Sequence, residues 1–248
     1  MTKQRGNILF LILLAVVLFA ALSYAVTSST RGGGNDVSTE KAQANAARYL
    51  QFTTLIENTV TRMLLSGVKE SEISFGGTSN YKSPNDGQWC WNSNPNCLTA
   101  SCKVFDPAGG GATPMMFEDI GVRHPGYNVG ANYYPKPGHI YIRQGAIYNV
   151  GTDAPDLIFS IMGVDAATCN EVNKRMGITT NFTSTTGNVE TSGTSSPELF
   201  AGCGANYYGF TSTRVFGDND TRFAGQRTFC APLDEPGYLS INQVIIAR

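Results

Sequence analysis

The segment ILFLILLAVVLFAALSYAV, which runs from Ile8 to Val26, decides how this chain is organised. About 20 apolar residues at about 1.5 Å each span the hydrocarbon core of a bilayer, so the segment predicts a transmembrane or stem helix over 7–30. Lys3 and Arg5 are the only charged residues before Arg31. Positive charge on the short leading side predicts that the N-terminus stays in the cytoplasm and that everything after the segment is exported.

The sequence permits three fates for this segment. The tripeptide SYA, which ends at Ala25, has the small-x-small form that precedes a signal-peptidase cut before Val26. Without any cut, the segment would act as a signal anchor for an exported domain. A cut between Gly6 and Asn7 would instead remove a basic leader-like segment, residues 1–6, and keep the apolar helix in the mature chain.

The third fate agrees with the order of parts along the chain. The residues QRG at 4–6 run directly into the apolar segment, and a second helical stretch and a Gly-rich region with cysteines follow. Within that region, CNEVN at 169–173 forms a short Cys-containing helical stretch ahead of Gly177. In these features the chain resembles the type IV pilin and pseudopilin superfamily.

The resemblance implies a structural subunit of an extracellular or periplasm-spanning filament that is assembled through its N-terminal hydrophobic helix. The implied partners are copies of the chain or other pilin-like subunits, the inner membrane before assembly, and the pilus or secretion assembly machinery. The subunit would wait in the inner membrane with its head outside the cytoplasm, and no cofactor is implied. The alternative is a membrane-anchored or secreted adhesin or binding domain that does not polymerise.

One position departs from the pilin pattern. Most pilins have Glu as the fifth mature residue, whereas a cut after Gly6 places Leu11 there. A buried carboxylate facing an ammonium group fixes the axial register of subunits, so without it the register must come from helix packing. We therefore expect a minor, tip or atypical subunit, in which the small residues Ala15, Ala20 and Ala21 govern how closely helices approach.

Composition argues against a nucleic-acid partner and favours an exported protein. The chain has 18 Lys and Arg against 19 Asp and Glu, a formal net charge of -1, so it has no basic field to attract nucleic acid. Only 15% of its residues are charged, and it has 27 glycines. This balance is typical of loop-rich secreted and surface-exposed domains.

Six cysteines lie beyond the apolar segment: Cys90, Cys97, Cys102, Cys169, Cys203 and Cys230. An oxidising compartment would pair them, although six cysteines allow 15 connectivities. We expect Cys203 to pair with Cys230. Cys97 is expected to pair with Cys102 or Cys90, and Cys169 is expected to pair with the cysteine that remains. Zinc bound by the first three is the rival hypothesis, but their spacings match no CxxC pair.

The pattern predicts a stem followed by a head. A glycine-rich break at 31–35 separates the first helix from an amphipathic helix at 36–66, because each glycine costs about 1 kcal/mol of helix stability. A disulfide-braced, β-rich globular head follows at 67–248. The fold class is therefore α+β, with the second helix packed on an antiparallel sheet. An apolar stripe at helical spacing must face that sheet: Phe52, Leu55, Ile56, Thr59, Val60, Met63 and Leu64.

The first strands of the head are predicted as a hairpin. His139 to Ile142 and Ala146 to Val150 alternate between apolar and polar residues, and Arg143 to Gly145 separates them. A glycine in such a short connection is typical of a hairpin turn.

Three further elements are predicted in the head. Asp156 to Val164 is a continuous apolar run and predicts a buried strand, and Ala166 to Met176 predicts a short helix that ends before Gly177. Tyr238 to Ile246 predicts a last strand with one covered and one wetter face. Thr179 to Pro197 is rich in Thr, Ser, Asn and Gly, so we expect an exposed loop outside the core. The sheet should have four to six strands.

No set of residues predicts catalysis, so we expect neither an enzyme nor a cofactor. The two histidines, His124 and His139, have no neighbouring nucleophile or metal-binding motif, although a hydrolase site assembled from loops stays open. Asp218, Asn219 and Asp220 form a weak candidate for a calcium site, because they cluster hard oxygen ligands. They lack the Gly and the distal Glu of an EF-hand loop.

Overall fold

The computed structural model describes most of the chain and divides it into two compact units, Met1–Ala42 and Gln43–Arg248. The fold is α+β, as predicted. The residues described are 7–31, 33–76, 94, 96–115, 117, 119–122, 138, 140–152, 154–183, 191–192, 215–217, 220–235 and 238–248.

Two long helices come first. Helix α1 spans Asn7–Arg31 and helix α2 spans Gly33–Leu65. Gly32 lies outside the described residues, so the glycine-rich break at 31–35 stays a prediction.

The predicted transmembrane stem over 7–30 is wrong. In the described part of the chain, no helix has both the length and the apolarity that a bilayer crossing requires.

The apolar stripe of α2 packs into the head. Phe52, Ile56, Val60 and Met63 are buried, as the helical spacing predicts, whereas Leu55 is 44% exposed and does not belong to the buried face. The spacing of three and four residues places one face of a helix against the core.

The head contains a six-stranded sheet in the order β3-β4-β1-β2-β6-β5. It is mixed rather than antiparallel, because β1 and β4 run parallel while the other neighbours are antiparallel. The strands and the third helix are β1 (Ile140–Ile147), β2 (Asp156–Val164), α3 (Ala166–Arg175), β3 (Thr191–Ser192), β4 (Val215–Phe216), β5 (Thr228–Glu235) and β6 (Tyr238–Ile246). Short 3₁₀ turns occur at Glu70–Glu72, Ala100–Cys102 and Thr221–Phe223.

The predicted hairpin within β1 is wrong. Strand β1 continues through Gly145, which pairs with Asp156 at the start of β2. The chain reverses later, where Asn149 and Gly151 both have a φ of 62°. Strand β2 provides a backbone partner for each residue from Ile140 to Gly145, and this long-range pairing outweighs the local turn signal of the glycine.

Strands β2 and β6 have the predicted bounds and form the centre of the sheet. All nine residues of each strand are buried. The wetter face predicted for Tyr238–Ile246 is therefore wrong, because the side chains on both faces of β6 are buried.

Helix α3 also forms where it was predicted. The Asp165 side chain caps its first turn by accepting a hydrogen bond from the Thr168 backbone N–H at 2.9 Å. Gly177, with a φ of 76°, follows its end. The loop expected outside the core after α3 contributes to it after all, because Phe182 is buried and stacks on Phe223 with 6.4 Å between ring centroids.

Candidate functional site

Most of the large apolar side chains that are exposed in the described residues belong to α1. Eleven lie on α1 and five lie elsewhere, and on α1 their exposed fractions run from 48% at Leu14 to 77% at Tyr24. Every residue from 10 to 24 is exposed, so this part of the helix has no covered face. Proteins that work as monomers rarely expose a continuous apolar surface, and such a surface marks an interaction site.

The four residues predicted to direct packing all lie on this exposed helix. Leu11 is 56% exposed, and Ala15, Ala20 and Ala21 are exposed as well. The first turn of α1 contains no acidic residue. Small side chains let two helices approach closely, so the alanines suit contact with another helix.

The predicted cleavage positions flank or interrupt α1. Asn7 is the first residue of the helix, and Gly6 lies outside the described residues. Ala25 and Val26 lie within the helix. Both cleavage sites stay predictions.

Two disulfides brace the head. Cys97 is bonded to Cys102, which is one of the two pairings predicted for it, and this bond removes the thiolates that the rival zinc site would need. Cys169 of α3 is bonded to Cys230 of β5, with 5.3 Å between their Cα atoms. The predicted pairing of Cys203 with Cys230 is therefore wrong, because α3 packs on β5 and brings Cys169 to it. Cys90 and Cys203 lie outside the described residues.

Two asparagines of α3 fasten separate backbone segments to the helix. The Asn173 side chain accepts from the Cys230 backbone N–H and donates to the Cys230 carbonyl, both at 2.8 Å. Asn170 treats Phe182 in the same way, accepting from its N–H at 2.8 Å and donating to its carbonyl at 2.9 Å. A side-chain amide carries the same kinds of donor and acceptor as a peptide group, so each asparagine satisfies both backbone groups of its partner residue.

Sequence reasoning did not identify these two positions as functional. The available signal was the spacing of Asn170 and Asn173, which places both amides on one side of α3. The partners of the amides could not be read from that spacing.

A buried carboxylate fixes the end of β6. Asp156 is fully buried and accepts from the backbone N–H groups of Ile147 at 3.2 Å and Arg248 at 2.9 Å. The Arg248 guanidinium donates to the Pro155 carbonyl at 2.9 Å and forms an ion pair with Glu70. Burial raises the pKa of Asp156, although the two backbone hydrogen bonds oppose that shift. In the sequence, the only sign of this role was that Asp156, an acidic residue, begins an apolar run.

The structure describes only one of the three residues of the weak calcium candidate, Asp220. Asp218 and Asn219 lie outside the described residues. The Asp220 carboxylate accepts from the Arg222 backbone N–H at 3.2 Å and from Arg222 Nε at 2.8 Å. Arg222 lowers the pKa of Asp220, and it occupies the oxygens that a cation would need.

The described residues include a cavity but no metal-binding cluster. They contain no group of three His, Cys, Asp or Glu side chains that could hold a metal ion. His124 and His139 both lie outside them. A cavity of about 360 Å³ lies at the end of α2, and its lining includes Arg62, Glu72 and the disulfide-bonded Cys102. Charges of both signs line this cavity, together with the hydroxyl-bearing residues Ser66 and Ser101.

Comparison with known proteins does not add a family: no family model, curated protein or solved structure matches the chain.

Proposed function

We propose that this chain is a structural subunit of a pilin-like or pseudopilin-like filament and that it assembles through α1. The partners are further copies of the chain or similar subunits, and the proposed role involves no catalysis. The second compact unit, Gln43–Arg248, comprises the head and most of α2. It is the part of each subunit that remains accessible on the filament.

The exposure of α1 carries this proposal. A helix whose described side chains are apolar and exposed on every side is costly in water, because each buried CH₂ group is worth about 0.8 kcal/mol. Contact with several neighbouring helices covers all sides of such a helix at once, whereas a single groove covers one side. A polymer with helices at its centre therefore fits α1 better than a one-to-one complex does.

The disulfides support export of the head. Disulfides persist in oxidising compartments and are rare in the cytosol. Cys97–Cys102 and Cys169–Cys230 both lie in the second unit. We therefore propose that this unit works outside the cytoplasm.

A charge placed on α1 tests the proposal against a matched control. The full chain is purified in mild detergent, the detergent is removed, and the pelleted fraction is measured and viewed by negative-stain microscopy. Leu18→Asp places a carboxylate on α1, where Leu18 is 61% exposed. Leu98→Asp makes the same change in the head, where Leu98 is 88% exposed.

We expect Leu18→Asp to reduce pelleted filaments at least about tenfold, because a charge is costly to bury between apolar helices. Leu98→Asp should pellet like the parent chain. If the parent chain forms no filaments, or if both variants pellet as the parent does, the proposal fails. A parent chain that stays monomeric and binds another ligand through its head would favour the non-polymerising adhesin.

A further inference from the structure

Strand β5 forms one edge of the sheet and is long enough to accept another strand. It has eight residues, whereas the opposite edge strand, β3, has two. β6 pairs with one side of β5, and no strand in the described residues pairs with the other side. An edge strand of this length is a template for pairing with a second chain unless something blocks it.

The Asn173 amide blocks this edge at its middle. Both backbone groups of Cys230 bind the Asn173 side chain at 2.8 Å, so Cys230 directs its N–H and carbonyl away from β6. In an antiparallel pair, alternate residues direct their backbone groups to the same side. The Asn173 amide therefore lies where the backbone of an added strand would lie.

A proline extends the block along the same side of β5. Pro232 is two residues beyond Cys230 and shares its outward direction. Proline has no N–H to donate, and it is tolerated in a sheet chiefly on edge strands. An added strand would therefore lose a hydrogen bond at Pro232 as well as the two at Cys230.

A covalent bond holds the block in place. The Cys169–Cys230 disulfide joins α3 to β5 one turn before Asn173 on the helix. Cys230 and Asn173 are both fully buried. The amide is therefore held against the strand and does not compete with water for its two hydrogen bonds.

We propose that α3 is an edge seal, in which Asn173 keeps β5 from pairing with other chains, and that the unsealed β5 edge pairs with the β5 edge of a second copy. Two identical antiparallel edges are self-complementary about a two-fold axis, so the copy is the partner that the exposed edge fits. The seal confines association to surfaces other than the sheet edge. It does not depend on the filament proposal, because it concerns the head alone.

The test compares Asn173→Ala with Asn170→Ala in the full chain held in detergent. Asn173→Ala removes both hydrogen bonds to the edge. All proteins, the parent included, carry Cys169→Ala and are kept in a thiol reductant, because the Cys169–Cys230 disulfide would otherwise hold α3 against β5 whatever residue stands at 173. Asn170→Ala removes an equivalent pair from Phe182, which is not in the sheet. Hydrogen exchange of peptides covering residues 228–232 is measured over a range of protein concentrations, together with the mass from light scattering. Asn173→Leu keeps the approximate shape of the side chain but can neither accept nor donate a hydrogen bond, and it serves as a second variant if Asn173→Ala does not fold.

At low concentration, the Cys230 amide of either Asn173 variant should exchange at least about tenfold faster than in the parent. As concentration rises, its protection should return while the mass doubles relative to the parent. Asn170→Ala should show neither the faster exchange at Cys230 nor the change of mass. The proposal is overturned if the Asn173 variants keep the parent's mass at every concentration, or if Asn170→Ala associates equally.

Discussion

Helix α1 and strand β2 are both strongly apolar, yet the chain treats them in opposite ways. All nine residues of β2 are buried, with Phe159 at its centre. In α1 every described side chain from 10 to 24 is exposed, including Phe19 at 74%. Burial of apolar surface is the main favourable term in folding. The side chains of β2 contribute that free energy to the folded chain, whereas the exposed side chains of α1 do not.

This difference separates folding from assembly. In the described part of the head, apolar side chains pack around β2, and two disulfides and the amides of α3 brace the fold. The described apolar side chains of α1 are exposed, and we propose that contact with other copies covers them. Substitutions in the head should therefore alter the free energy of unfolding, whereas substitutions in α1 should alter association.

The largest effect is expected from deleting matched phenylalanine rings. Phe159→Ala should destabilise the head by about 3–5 kcal/mol, because it leaves a cavity among buried rings. The Phe159 ring centroid lies 5.8 Å from that of Phe52 and 6.0 Å from that of Phe75. Phe19→Ala should leave the free energy of unfolding of the head unchanged. Denaturant unfolding followed by near-ultraviolet circular dichroism measures the free energy of unfolding of both variants. An equal decrease in the two would contradict the proposed difference between β2 and α1.

The two disulfides should differ in how much they stabilise the head. Replacing Cys169 and Cys230 with alanine should cost about 4 kcal/mol, because the bond closes a loop with a sequence separation of 61. Replacing Cys97 and Cys102, which are separated by 5, should cost about 2 kcal/mol. Thermal unfolding of the two double variants measures this order. A larger loss at Cys97–Cys102 would show that the loop-entropy account is inadequate here.

The buried carboxylate gives the head a pH dependence that α1 does not share. Burial raises the pKa of Asp156, so the folded chain holds this proton more tightly than the unfolded chain. The stability that this proton contributes is fully present below the unfolded pKa and is lost as the pH rises through the folded pKa. Unfolding at a series of acidic pH values should show this step in the parent, and Asp156→Asn should lack it. An identical pH profile in the two proteins would contradict the assignment.

The smallest effect concerns two tyrosines. Tyr49 is fully buried, and its hydroxyl has no hydrogen-bond partner among the described residues. Tyr49→Phe should therefore stabilise the head by up to about 1 kcal/mol, since an unsatisfied buried group is removed. Tyr24 of α1 is 77% exposed, and Tyr24→Phe should change nothing. Chemical denaturation measures both, and a destabilised Tyr49→Phe would indicate a partner for the hydroxyl.

Local patterns in the sequence were sufficient for the elements that depend on neighbouring residues. β2 and β6 have the predicted bounds, and α3 begins at Ala166 and ends before Gly177, as predicted. These segments are defined by apolar runs and by caps within a few residues. The apolar character of α1 also follows from its composition, whereas assembly through it stays a prediction.

Features that depend on distant residues could not be predicted in the same way. Asn173 meets Cys230 across 57 positions, and Asp156 meets Arg248 across 92. The continuation of β1 through Gly145, the parallel pairing of β1 with β4, and the choice of Cys169 as partner of Cys230 all follow from where the sheet places these residues. A single sequence carries no local signal for such contacts.

Footprinting of the assembled particle tests the central claim most directly. Filaments formed in detergent-free buffer are labelled by photoactivated carbene, and the labelling of each peptide is compared with that of the dispersed chain. The account predicts that residues 10–24 lose most of their labelling on assembly while Leu98 in the head stays labelled. Equal labelling of α1 in the assembled and dispersed forms would contradict it, because the helix would then remain uncovered in the polymer.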